Sequence, residues 1–398
     1  MLRMHPRFGA VTAAALLVGV AGCSSTTVSF GGPAVDHSSR ATSAPHHGDG
    51  LTPSVRQALP RIEAFVEKER GLRFKHPVKV KLLAPRAFVK LLNKGDKSPS
   101  RKAINKQESV FASLGLVSPK VDLYKAFKST SDQSTIGFYK FSNKRLYVKG
   151  KRATPGVRAV MAHELTHALT DQWFGLRRPK LSKDNQERQM AFTALSEGDA
   201  ERTRLAYESE VLTSSQRAVA ERQEAGAGGA PPDVPQVVLE LIGFPYSIGP
   251  RFVDAIVADG GIKALNRAYR HPPVSSEQLL NPAAFLEHDN PKHVATPHAD
   301  RARLEHGDLG VVGLLLMFEH GGISNSEALA SLHGWGGDQF ASWQAGKRKW
   351  CLRDTVVMDS VDQMSGFRTG LSDWIGMRDG RARIEKSAPN RTTFITCS

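Results

Sequence analysis

Apolar residues recur at 55, 59, 62, 65 and 66 (Val55, Leu59, Ile62, Phe65, Val66), the spacing of one helix face, and predict a helix over 55–70. VKVKL at 78–82 alternates with the period of a strand. PRAFVKLL at 85–92 opens on a proline, which suits the first turn of a short helix. Another helix is predicted over 102–114, closed by Gly115, and IGFYKFSNKRLYVK at 136–149 reads as two strands joined at Ser142-Asn143-Lys144. Helical spacing returns over 159–171, 186–212, 252–258, 263–269, 310–318 and 326–332. AGAGGAPPDVP at 225–235 is predicted as a loop that divides the chain into halves. From Gly336 onward there are short strand-like runs, at 355–358 and 392–396. The pattern predicts an α+β fold, mostly helical, with a small sheet beside the helix at 159–171.

The N-terminus has a different character. Arg3 and Arg7 precede FGAVTAAALLVGV at 8–20, an apolar run too short for a comfortable membrane span. Val20-Ala21-Gly22-Cys23 follows and resembles a bacterial lipobox, which implies cleavage before Cys23 and lipidation of its thiol, as with palmitate. Residues 1–22 are then a signal peptide. Residues 23–52, rich in Ser, Thr, Gly and Pro, are a flexible tether in which His37, His46 and His47 are solvated. Residues 53–398 form the domain, and the expected location is the extracytoplasmic face of the cell membrane, held by the lipid anchor. With Cys23 committed, Cys351 and Cys397 remain, and in an exported chain they are expected to form one disulfide pinning the C-terminal tail.

Composition adds a charge. The 398 residues are 40% hydrophobic and 23% charged, the balance of a globular chain. Lys+Arg 54 against Asp+Glu 39 gives a net charge of +15, with many of the basic residues between Lys68 and Arg158. That excess favours anionic surfaces. No finger, recognition helix or aromatic RNA-binding signature accompanies it, so no specific nucleic-acid partner is expected and the basic residues read as a solvated face.

The candidate chemistry lies at 162–172, AHELTHALTDQ. On a helix, positions i and i+4 share a face, so His163 and His167 can present ring nitrogens to one metal ion, with Glu164 one step round the helix as a base. One Zn2+ ion suits neutral imidazoles and acidifies a bound water. A continuation to a third histidine is excluded, because Trp173 stands at that place. The best third ligand is Glu197 in ALSEGDAE (194–201), where small and apolar neighbours let the helix approach the core and Gly198 permits close backbone contact. Glu187, Glu208 and Glu210 sit in polar surroundings and read as solvated charges. His288, His293, His298 and His306 lie in a proline-bearing stretch whose spacing suits no compact zinc motif, and they are expected at the surface.

HELTHALTDQ together with ALSEGDAE resembles the gluzincins, the thermolysin-like zinc metallopeptidases with two histidines and one glutamate on the metal. The chain is also similar, from about 77 to 397, to a group of exported bacterial HExxH proteins, through GFYKFSNKRLYVKG, FPYSIGPRFV, PPVSSEQLLNP and GWGGDQF. The resemblance implies zinc on His163, His167 and Glu197, with Glu164 as general base and proton shuttle. It places Glu201, where thermolysin-like enzymes have an aspartate, beside a ligand histidine, and leaves Asp171 as a further outer group. The spacing from His167 to Glu197, 30 residues (197 − 167), is longer than in thermolysin, and a loop near 177–185 would absorb it. Tyr246 and His271, in similar segments, are candidate donors to the transition state. The strand at 145–149 is a candidate edge for pairing with an extended substrate. The activity expected is hydrolysis of peptide bonds in a peptide or protein of the cell envelope. The alternative is a non-catalytic lipoprotein that uses a peptidase-like fold for binding or scaffolding.

Overall fold

The computed structural model describes residues 50–93, 101–178, 186–227 and 234–398. The leader, Cys23 and the tether up to residue 49 lie outside them, as do most of 177–185 and the centre of the loop predicted at 225–235. Within the described residues no helix is long and apolar enough to cross a membrane.

The N-terminal half is built on a three-stranded sheet. Helix α1 (Pro53–Arg70) leads to β1 (Lys79–Leu83) and α2 (Pro85–Leu92), then α3 (Arg101–Leu114) and α4 (Leu123–Ser134). The predicted hairpin follows as β2 (Gly137–Lys140) and β3 (Arg145–Lys149), turned at Lys144 with φ 55°. The order is β1-β3-β2, with β1 parallel and β2 antiparallel to β3. β3 is therefore central, and the expectation that 145–149 forms an open edge is corrected: β1 and β2 flank it and are the two edges. Leu146 and Val148 point from β3 into a core shared with α1 and with α5 (Pro155–Phe174).

Helix α5 starts at Pro155, capped by the Thr154 hydroxyl, which accepts from the Val157 N–H at 3.4 Å. It is buried around most of its circumference, from Ala159 through Asp171. Its threonines pose no polar problem there, because the Thr166 and Thr170 hydroxyls donate back to the carbonyls of Ala162 and Thr166 at 2.9 and 2.8 Å. Helix α6 (Gln186–Glu210) packs across it, followed by α7 (Ser214–Ala227) and α8 (Gln236–Arg270). The first three residues of the loop predicted at 225–235 thus continue a helix. The helices predicted at 252–258 and 263–269 are parts of α8, broken where Gly261 takes φ 65°.

The C-terminal half holds more sheet than its sequence suggested. After α9 (Ser276–Leu280), α10 (Pro282–Leu286), β4 (Arg303–Gly307), α11 (Gly310–His320) and α12 (Asn325–Leu332) come β5 (Trp335–Gly346), β6 (Lys349–Met358), α13 (Val361–Gly376), β7 (Ala382–Ala388) and β8 (Arg391–Cys397). They form a five-stranded antiparallel sheet in the order β4-β5-β6-β8-β7. Cys351 and Cys397 face each other on β6 and β8, Cα atoms 4.1 Å apart, and are disulfide-bonded as the sequence predicts. His288, His293, His298 and His306 are exposed.

Between this sheet and α6 lies a set of buried carboxyl groups. Asp338 accepts from the N–H groups of Leu309 and Gly310 at 2.7 and 2.9 Å, at the start of α11. Glu187, expected as a solvated charge, is buried instead and accepts from the Ser276 amide and hydroxyl at 2.6 and 2.7 Å. The N-terminal turn of α6 is folded inward against α9, which local polarity did not reveal. Asp354, on β6, is fully buried and neither of its oxygens is hydrogen-bonded.

Candidate metal centre

Two helices bring the ligand set together. His163 and His167 lie one turn apart on α5, and Glu197 reaches them from α6. Nε2 of His163 and Nε2 of His167 are 3.1 Å apart, and they lie 3.1 and 3.2 Å from Oε2 of Glu197. Tetrahedral coordination with bonds of about 2.0–2.1 Å separates ligand atoms by about 3.3 Å, so this triangle has nearly the dimensions of one face of a zinc site. Among the described residues it is the one cluster of three such side chains able to hold a metal ion. The residues present fit the implied ion in both donor type and spacing.

Each imidazole is held from behind. The Ser196 hydroxyl lies 3.2 Å from Nδ1 of His167. A carboxylate oxygen of Glu201 lies 3.5 Å from Nδ1 of His163, an ion-pair distance rather than a close hydrogen bond. Glu201 is fixed in turn by Arg204, which donates through Nε and an Nη at 2.8 and 2.6 Å. The other Nη of Arg204 donates to Glu208 and Glu224 at 2.5 and 2.6 Å. Glu208, too, is thus a partner of a buried cation and not a free surface charge.

This arrangement shapes the charge states. Burial disfavours the imidazolium of His163, but the Glu197 and Glu201 carboxylates outweigh it and lift its pKa to about 9. Burial would raise Glu197, yet His167 and His163 hold it well below the usual carboxylate range. Glu201, likewise opposed by burial, is brought down to about 2 by Arg204 and His163.

Glu164 follows His163 on α5, where its charge bears on both His163 and Tyr246, and its carboxylate also reaches the sheet. Its Oε2 accepts from the backbone N–H of Tyr139 on edge strand β2 at 2.7 Å. Gly137, on the same strand, leaves room for this contact: a Cβ there would stand 2.8 Å from Val160 and 3.7 Å from Cγ of Glu164. Tyr246 of α8 stacks over His163, ring centroids 6.3 Å apart. Burial, then Glu197 and Glu164, push its hydroxyl well above its ordinary pKa, and that hydroxyl hydrogen-bonds Glu197. Tyr246 is therefore a retained proton donor beside the ligand triangle.

The crossing of α6 and α8 sets this position. A Cβ on Gly198 would fall 2.2 Å from the Gly249 carbonyl carbon, and one on Gly249 would fall 2.3 Å from the Ala194 carbonyl oxygen. The helices meet backbone to backbone, as expected for Gly198. Asp199 faces away from the metal triangle, with the Tyr269 hydroxyl donating to it at 2.8 Å and Nε of Arg70 lying 3.0 Å away, all buried.

Two expected residues stand elsewhere. His271 is exposed at the C-terminal end of α8, where its amide caps the Arg267 carbonyl, and its side chain is not among the groups around the triangle. Asp171 binds the hairpin: it accepts from the Tyr139 hydroxyl at 3.0 Å, Lys144 Nζ at 2.6 Å and the Leu176 amide at 3.0 Å. It secures β2 against α5 and touches neither ligand ring. Sequence reasoning missed Ser196 and Arg204; each lies on α6 within two turns of Glu197, and only the fold shows which way it points. Comparisons with protein-family models, curated proteins and solved structures give no match, so the reading of this centre rests on its own geometry.

Proposed function

We propose that the chain is a zinc metallopeptidase that hydrolyses peptide bonds, anchored through Cys23 on the extracytoplasmic side of a membrane. The observation that carries this reading is the triangle of two Nε2 atoms and one carboxylate oxygen at 3.1–3.2 Å, with a separate glutamate next to it. A bound zinc ion supplies Lewis acidity toward a carbonyl and acidifies water. Glu164 takes the proton from the attacking water and delivers it to the leaving amine. The Tyr246 hydroxyl donates to the oxygen on which negative charge develops. Ser196 and Glu201 keep the two imidazoles in the tautomer that presents Nε2. The Tyr139 amide aims the Glu164 carboxylate before substrate arrives. The disulfide supports an oxidising compartment.

The test combines metal analysis with cleavage of an unbiased peptide mixture by the parent and by Glu164→Gln. The expected result is about one zinc per chain in both proteins, with cleavage reduced by about 10²–10⁴-fold in the variant. Equal cleavage by both removes Glu164 from the chemistry. Zinc in both with cleavage by neither favours the non-catalytic reading.

A further inference from the structure

The segments that build the three-stranded sheet contain no acidic residue: there is no Asp or Glu from Leu72 to Asn93, nor from Ile136 to His163. The strand register sorts their basic residues onto one face. Val80, Leu146, Val148 and Tyr139 point into the core shared with α5. The alternate positions point outward, and there Lys79 pairs with Arg145, which pairs with Lys140, in one row across the three strands. Lys81 stands two residues further along β1.

Helix α2 lies on this outer face through Phe88, which packs on Phe138 and Tyr147. Arg86 and Lys90, one turn apart, are exposed on its opposite side. Lys79, Lys81 and Arg145 are also exposed, and Lys140 is half-buried. Among the described residues none of these six has an acidic partner; the hairpin's ion pair, Lys144 with Asp171, lies at its turn. A row of cations without an acidic partner among the described residues, on one face of a sheet and its covering helix, is complementary to an extended anionic surface.

The path of the chain favours one such surface. It enters the fold at Thr52, whose hydroxyl donates to the Lys151 carbonyl at 2.7 Å, just beyond the end of β3. Lys151 and Arg152 at this corner are exposed. The N-terminal stretch bearing Cys23 therefore joins the domain at the margin of the basic face. The metal triangle lies on the other side of the sheet, beyond α5.

We propose that the outer face of β1–β3 with α2 docks on an anionic phospholipid leaflet, the one its own N-terminus anchors to, and holds the metal centre on the side away from the lipid. Each basic residue brought to such a leaflet strengthens partitioning by roughly fivefold, and the effect decays within a Debye length of about 10 Å at 0.1 M salt. The inference is independent of the metal reading, and its test needs no catalytic activity.

The test is sedimentation of the full chain carrying Cys23→Ser with vesicles of phosphatidylcholine alone or with about one-third phosphatidylglycerol. The ratio of the two affinities cancels any contribution of the apolar leader. One variant carries Lys79→Gln, Lys81→Gln, Arg86→Gln, Lys90→Gln and Arg145→Gln. A charge-matched variant carries Arg251→Gln, Lys263→Gln, Arg301→Gln, Arg381→Gln and Lys386→Gln, at exposed sites elsewhere. The expected result is a preference of the parent for anionic vesicles that the first variant loses by about 50-fold or more and the second retains. Equal loss in both variants would mean that net charge alone acts, and would overturn the proposal. So would no anionic preference in the parent, or binding to soluble polyphosphate without binding to vesicles, which would point to an anionic polymer.

Discussion

Replacing Gly249 by alanine puts opposing effects on one methyl group. In an ordinary helix the change is favourable, by about 0.8 kcal/mol. Here the new Cβ would lie 2.3 Å from the Ala194 carbonyl oxygen and 2.8 Å from Cα of Gly198, where ordinary contact begins at 3.4 Å. The backbones have to separate by about 1.1 Å (3.4 − 2.3), and no flexible side chain at the contact can yield instead. Overpacking of this kind costs about 1–3 kcal/mol, so the strain outweighs the helix gain and the net is a loss of about 0.2–2.2 kcal/mol. The melting temperature should fall by up to about 4 °C.

The displacement has a functional reading as well. Tyr246 precedes Gly249 by one turn, and Glu197 precedes Gly198 directly, so separating α8 from α6 moves the tyrosine off the ligand triangle. All three ligands are on α5 and α6, so zinc content should be unchanged. A shift near 1 Å in a donor to the transition state costs about 10²-fold in turnover on the proposed mechanism. Calorimetry, zinc analysis and peptide cleavage on Gly249→Ala, with Tyr246→Phe alongside, separate these effects. Tyr246→Phe should lose turnover at nearly unchanged stability. A Gly249→Ala protein that melts higher and cleaves normally would show that the two backbones do not in fact touch, and the account of how Tyr246 is placed would fail.

Glu201→Gln keeps the shape of the group behind His163 but removes the charge that Arg204 fixes; zinc affinity measured by chelator competition should fall by about 10–100-fold, and an unchanged affinity would mean that Glu201 serves Arg204 alone. Burial, and after it the neighbouring carboxylates, push Asp354 well above the usual carboxylate range and Asp338 up to about 7. The folded chain then holds these protons more tightly than the unfolded chain, whose carboxyls titrate near 4, so their contribution to stability is complete below about pH 4 and is lost as pH rises through each folded pKa, about 7 for Asp338. Asp354→Asn should therefore raise the melting temperature at pH 8 with little effect at pH 4, and the same shift at both pH values would refute this origin. Reducing the Cys351–Cys397 bond, whose partners are 46 residues apart, should lower stability by about 4 kcal/mol in denaturant melts, and a change below about 1 kcal/mol would mean that β-pairing alone fixes the tail.

Elements with a one-sided apolar pattern were legible in the sequence. The helix at Pro53–Arg70, β1, α2 and the β2–β3 hairpin were found close to their bounds because each buries one face. Helix α5 was found through its motif, since burial on all sides leaves little periodicity to read. Helix α4 has a polar, weakly patterned sequence, although Asp122 marks its start by accepting from the Lys125 amide at 2.9 Å. Helix α7 has Val219 as its one large apolar residue and otherwise only alanines to mark a buried side. Strand β6 is buried along most of its length, so alternation could not reveal its ten residues. At the centre, residue identity and spacing pointed to His163, Glu164, His167 and Glu197. Ser196, Arg204 and the role of Tyr139 depend on which side of a helix meets which neighbour, and the backbone amide of Tyr139 leaves no mark in a sequence.

Two histidines in a buried helix need an explanation beyond packing. An imidazole buried for packing alone directs its ring nitrogens to separate carbonyls, hydroxyls or waters, each satisfied where it lies. Here one nitrogen of each ring is turned to a separate group of the protein: Nδ1 of His167 to the Ser196 hydroxyl at 3.2 Å, and Nδ1 of His163 to the Glu201 carboxylate at the ion-pair distance of 3.5 Å. The other nitrogen of each ring faces its counterpart and the same oxygen of Glu197. With no cation between them, three ligand-type atoms about 3 Å from one another hold together only by sharing protons, and that is what lifts His163 to about 9 and lowers Glu197. One cation at their common focus satisfies all three together. The fold has thus assigned one nitrogen of each ring to the protein and the other to a shared point, a division that a metal site requires and that core packing does not.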